Sequence, residues 1–118
     1  MEPPVTLIPR IALEDFEFQG NAIRRGQIVQ LSIASANRDA AHFADPDRFD
    51  VRRTPGQILS FGYGPHGCLG GHLAREETRI ALETLFARMP GLRLDETRQI
   101  EWYRNAGNRG PITLPILF

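Results

Sequence analysis

The chain has 118 residues, enough for one small domain and too few for two, since domains usually run to about 100–150 residues. Its composition is 42% hydrophobic and 24% charged, with 14 basic residues against 14 acidic ones, and that neutrality argues against a polyanion-binding protein. No apolar run approaches the roughly 20 residues that cross a bilayer, and the N-terminus lacks the basic-then-apolar order of a signal peptide, so no membrane and a cytoplasmic location are expected.

In chain order, Val5-Thr6-Leu7-Ile8 and Phe16-Glu17-Phe18 are short apolar stretches, and Gln19-Gly20-Asn21 is a turn signal before Ala22-Ile23. Alternation around a turn predicts a small antiparallel hairpin. Gln27 to Leu31 reads as a strand after the Arg25-Gly26 turn, and the small-residue run Ser32 to Ala36 as a short helix. From Asn37 to Ser60 the pattern loses its period, with turn formers at Asp45-Pro46-Asp47 and Thr54-Pro55-Gly56. Such a long irregular connection is uncommon unless it has a function or packs on something larger.

The run His72 to Arg88 holds good helix formers without Pro or Gly and is ended by Pro90-Gly91. Its apolar residues, among them Leu73, Ile80, Leu82, Leu85 and Phe86, spread over a wide arc, which predicts a helix packed on more than one side. Leu92-Arg93-Leu94, Ile100 to Tyr103 and Ile112 to Phe118 read as three strands, with Asn105 to Gly110 as a turn-rich tip.

The chemistry concentrates in residues 61–71, where five glycines and a proline surround Cys68, the single cysteine, directly before the long helix. A lone cysteine cannot close an intramolecular disulfide and acts as a thiol or thiolate. Backbone N–H groups and the dipole at a helix start favour an anion placed there, and thiolate is the form that binds metal. Glycines let the backbone approach a large flat ligand closely.

At these residues the chain resembles the cytochrome P450 family of heme-thiolate monooxygenases, whose proximal loop reads Phe-x-x-Gly-x-His/Arg-x-Cys-x-Gly. Phe61, Gly64, His66, Cys68 and Gly70 fill its fixed positions, and Leu73-Ala74-Arg75-Glu76-Glu77 resembles the start of the helix that follows. The resemblance implies heme (iron protoporphyrin IX) as cofactor and Cys68 as the axial thiolate ligand of its iron, a ligand type that favours O–O cleavage. Phe61 would pack beside the thiolate and porphyrin, and His66 would hydrogen-bond a heme propionate.

Less specific likenesses flank the loop. Glu2-Pro3-Pro4-Val5 and Pro9-Arg10 resemble the family segment that enters the substrate pocket and then supplies an arginine, which makes Arg10 a second propionate ligand. Thr6 and Ile8 are then candidates for lining the pocket, joined by Asn108 from the Gly107-Asn108 tip. Asn37-Arg38-Asp39 and the stretch Phe43 to Phe49 resemble the approach to the family's meander, where Arg48 would complete an ion network with a Glu-x-x-Arg motif on a preceding helix. No Glu-x-x-Arg motif precedes Arg48 in this sequence, and the long distal helix with its acid and hydroxyl residues is missing from it; the chain is expected to start just after the Glu-x-x-Arg helix. Arg75, beside the loop, is a candidate contact for an electron donor.

The expected architecture is an α+β fragment of the mainly α cytochrome P450 fold. Residues 1–118 form the C-terminal part of one domain, with a proximal loop at 61–71, the long helix and small antiparallel sheets. In a full-length context the family implies oxidation of a small organic substrate with electrons from a ferredoxin-like or flavoprotein donor. By itself the chain is expected to be inactive, because the distal side of the heme would be open to water. The missing N-terminal part of the fold is a further expected partner. The alternative is a truncated, non-catalytic heme-binding or degenerate protein. A cysteine nucleophile using His66 or His72 has little geometric support, since such spacing does not place a base and an orienting carboxylate around the thiol.

Overall fold

The computed structural model describes residues 3–54, 56 and 58–118; Glu2 and Pro55, cited above, lie outside them. The chain divides into two compact units, one of residues 1–60 with 105–109 and the other of residues 61–104 with 110–118.

In the first unit, β1 (Leu7–Ile11) and β4 (Ile28–Ser32) pair antiparallel, from Leu7 opposite Ser32 to Ile11 opposite Ile28. Between them lies the predicted hairpin, β2 (Phe16–Phe18) paired with β3 (Asn21–Ile23). Its two turn residues, Gln19 and Gly20, both have positive φ, at 49° and 79°, the mirror-image turn whose twist suits a two-residue hairpin. The Asp15 carboxylate accepts from the Arg25 backbone N–H and from the Arg24 guanidinium, each at 2.8 Å. Those two bonds, the backbone one first, hold its pKa below the ordinary aspartate value.

The short helix α1 (Ile33–Ala36) follows β4 directly, and the Ser32 side chain caps it by accepting from the Ser35 N–H at 3.2 Å. Residues 105–109 add to the start of this unit. Thr6 N–H donates to Gly107 O at 2.9 Å, Arg109 N–H donates to Pro4 O at 2.8 Å, and Val5 forms a bridge with Asn108.

As expected, the described part of the 37–60 connection contains no strand or helix. Its order comes from side chains bonded to backbone. Asn37 is only 5% exposed; its Oδ1 accepts from Leu59 N–H at 2.8 Å and its Nδ2 donates to Ser60 Oγ at 3.0 Å. One amide thereby ties together the two ends of a connection of more than twenty residues. Inside it, the Arg53 guanidinium donates to the carbonyls of Ala44, Asp45 and Arg48. Phe43 is buried, and the His42 ring meets it edge-on at 4.7 Å. Beside Phe43, a groove of about 520 Å3 is lined by Pro46, Phe49, Val51, Ile58 and Arg48 among others. The Arg48 side chain makes no ion pair among the described residues, while Arg38 pairs with Asp47 at 3.3 Å.

The second unit holds the one long helix, α2 (Gly71–Arg88), which begins one residue before the predicted start and ends at the predicted place. Arg79 on its exposed side bonds Glu76 at 2.9 Å and Glu83 at 3.0 Å, the three- and four-residue spacings that meet on a helix surface. The expected packing on more than one side is not found. Gly71 is the only buried residue of α2, and Leu73, Ile80, Leu82 and Phe86 are exposed, because no element of this unit covers that arc.

The three strands read after the helix are four. β5 (Arg93–Leu94) pairs with β8 (Ile116–Leu117), and β6 (Glu101–Trp102) pairs with β7 (Pro111–Thr113). The run Ile112 to Phe118 divides at Leu114-Pro115, since proline has no N–H to give a ladder. Pro115 is instead buried, and its carbonyl accepts from Asp95 N–H at 3.0 Å.

Replacing Asn37 by Ala leaves the part-buried Leu59 N–H without its acceptor, and a denaturant titration is expected to show a loss of about 1–3 kcal/mol. Asn37→Asp retains the acceptor and should lose less. Equal loss in both variants would assign the cost to something other than the Leu59 bond.

Candidate functional site

The loop before α2 is built by two backbone constraints. Cys68 N–H donates to Phe61 O at 2.7 Å and closes residues 61–68 into a ring. Within it, residues Gly64–His66 form one tight turn, and Gly67 N–H donates to Gly64 O at 2.9 Å. Gly62 and Gly64 have φ of 71° and 62°, a region in which a residue with Cβ pays a steric penalty. For Gly62 the restriction is double, since a Cβ there would lie 2.6 Å from the His66 carbonyl oxygen.

Phe61 is half-buried and anchors the loop. The Arg75 guanidinium stands over its ring, 4.5 Å from the centroid, and a Cβ on Gly71 would sit 3.4 Å from the same ring. Cys68 is an exposed free thiol, and Leu69 beside it is 101% exposed. At Gly64 and Gly70 an added Cβ would meet nothing within 4 Å. A soft sulfur donor beside a fully exposed leucine and bare glycine backbone suits a large, flat, apolar group bearing a metal.

One backbone donor beside the sulfur is committed within the loop. Gly71 N–H, at the start of α2, donates to the Cys68 carbonyl at 3.1 Å, and no N–H of the described residues bonds the sulfur. Loop closure uses both the N–H and the carbonyl of Cys68. What favours an anion there is the nearby positive end of α2, by its dipole.

Phe61, Gly64, His66, Cys68 and Gly70 thus sit together in the second unit, joined by Arg75 from α2. The His66 ring is exposed and makes no hydrogen bond among the described residues. Arg10, Thr6, Ile8 and Asn108 belong to the first unit. Arg10 is half-buried on β1, and its Nη1 donates to Pro9 O at 2.9 Å. Where the tip adds to the chain before β1, Thr6 N–H bonds Gly107 O and Asn108 bridges Val5. The Thr6 hydroxyl donates to Ala106 O at 2.5 Å, so its methyl and its two oxygen lone pairs are what it can offer another molecule. Ile8, half-buried, lies opposite Leu31.

Sequence reasoning missed Gly62 and Gly71. Both stand in the glycine-rich run, but only the structure separates glycines that touch something from those that face open space.

The family model for Cytochrome P450 matches residues 1–91. Among curated proteins, the chain is 50% identical over 115 residues to the Mycinamicin IV hydroxylase/epoxidase of Micromonospora griseorubida, covering 96% of this chain and 29% of that protein. It is 45% identical over 119 residues to a Biotin biosynthesis cytochrome P450 of Bacillus subtilis (strain 168), covering 99% of this chain and 29% of that protein. A similar solved structure is P450BioI in complex with an acyl carrier protein ligated to hexadec-9Z-enoic acid, with TM-score 0.91 and 43% identity over 99% of this chain and 30% of that one. The chain spans less than a third of the length of these relatives.

Gly62→Ala is expected to destabilise the chain more than Gly64→Ala in urea unfolding. Both pay the backbone penalty of about 1–2 kcal/mol, but only the first also drives Cβ into the His66 carbonyl. Equal losses would contradict the close approach at Gly62.

Proposed function

The chain belongs to the cytochrome P450 family, and from that premise we propose that residues 1–118 are the C-terminal, heme-holding part of a single monooxygenase domain. The observation that carries this reading is the exposed Cys68 thiol, presented beside Leu69 and bare glycines on a loop closed before α2 is reached. Heme, when bound, supplies the oxygen-activating redox chemistry of the family.

In this reading the Cys68 sulfur would hold the heme iron, and the Phe61 carbonyl fixes the backbone of Cys68. Gly64 and Gly70 leave room for the ring system. His66 and Arg10 take its carboxylates, the guanidinium giving a charge-assisted contact. Thr6, Ile8 and Asn108 border a small organic substrate. A ferredoxin-like or flavoprotein donor docks near Arg75, and the cytoplasm is the compartment of the whole enzyme. The handling of oxygen and protons on the opposite side of the heme falls to no residue of this chain, so residues 1–118 alone hold the group without turnover.

Titration of the chain with hemin, reduction with dithionite under carbon monoxide, and comparison with Cys68→Ala test this. The family's red-shifted Soret band is expected in the parent and lost in the variant. The same spectrum from both proteins would contradict thiolate ligation.

A further inference from the structure

We infer that Arg75 is a positioning residue for Cys68, acting through the ring of Phe61; the role rests on the reading of Cys68 as the ligand. Arg75 lies four residues after Gly71, and helical side chains lean toward the N-terminus, so its side chain reaches back over the first turn. There it does two things. Its guanidinium covers the Phe61 ring at 4.5 Å, and its Nη1 donates to the Gly71 carbonyl at 3.3 Å.

Gly71 forms the other wall. A Cβ at that position would lie 3.4 Å from Phe61 Cδ1 and 3.7 Å from Arg75 Nη1, ordinary contact distances, so both groups lie close over Gly71. The held ring belongs to the residue whose carbonyl accepts the Cys68 N–H at 2.7 Å. From the other direction Gly71 N–H reaches the Cys68 carbonyl at 3.1 Å. The guanidinium, the ring and the two Cys68 backbone bonds make one closed circuit around the thiol-bearing residue.

The charge is committed to this circuit. Arg79, the next cation along α2, is engaged by Glu76 and Glu83, whereas Arg75 forms no ion pair among the described residues. A planar guanidinium can stack on a ring and donate in its own plane together, which an ammonium cannot.

Amide hydrogen exchange followed by NMR on the full 118-residue chain without added heme reads the circuit directly. In Arg75→Ala the Cys68 amide should exchange about two- to five-fold faster, the factor corresponding to a cation–π contact at an exposed site. The Met89 amide, bonded to Leu85 O at the far end of α2, should not change. Arg75→Lys should restore part of the protection, because it keeps a cation over the ring and loses the fork. In a Phe61→Leu background Arg75→Ala should add nothing.

Unchanged Cys68 exchange in Arg75→Ala would overturn the inference. So would an equal effect in the Phe61→Leu background, or a Cys68 amide already unprotected in the parent. Because the readout needs no heme, the expected exchange pattern together with failure of thiolate ligation would count against the heme reading alone.

Discussion

The hydrogen bond from Cys68 N–H to the Phe61 carbonyl is the constraint on which the candidate site depends. It brings the two ends of an eight-residue loop together and fixes where the thiol-bearing backbone lies relative to α2. The bond can form because Gly62 turns with φ of 71° beneath the His66 carbonyl, where no Cβ fits. Once closed, the loop has used both backbone polar groups of Cys68 internally, and its sulfur faces outward. In the proposed reading the Cys68 thiol is oriented before a metal arrives, and preorganisation is what a protein contributes to cofactor chemistry.

Few of the large side chains in this chain are buried, and local polar bonds carry much of the order. Ala12, Ile33 and Phe43 are its buried hydrophobic residues among those described. In the first unit, Asn37 fastens the ends of the irregular connection, and Arg53 gathers three carbonyls inside it. In the second, Arg75 and Gly71 hold Phe61 from two directions. The Asn37 and Arg53 bonds satisfy backbone groups that would otherwise need a strand or helix partner. The exposed apolar residues of α2 are the counterpart of a chain that spans less than a third of the length of the relatives it matches.

Much of this was legible in the sequence where local chemistry decides the outcome. The turn at Gln19-Gly20, the helix stop at Pro90-Gly91 and the loop pattern around Cys68 each rest on residues whose preferences are strong and near in sequence. The division of the Ile112 to Phe118 run is signalled by Pro115, but the residues around it are otherwise apolar and β-forming and read as one strand. The packing of α2 was overestimated, since a wide apolar arc reports what a helix can bury and not what its own unit supplies. Asn37, Gly62, Gly71 and the stacking of Arg75 were not legible, because each acts through a contact set by tertiary placement. A residue type gives no sign of which carbonyl an asparagine will meet.

In the proposed function, Cys68, presented by this closed loop, binds iron through sulfur. Iron-edge X-ray absorption on the hemin-loaded chain and on Cys68→Ser measures the coordinating atom itself. A sulfur in the first shell of the parent, replaced by a lighter atom in the variant, is the predicted result. Only nitrogen and oxygen around iron in both proteins would contradict the account.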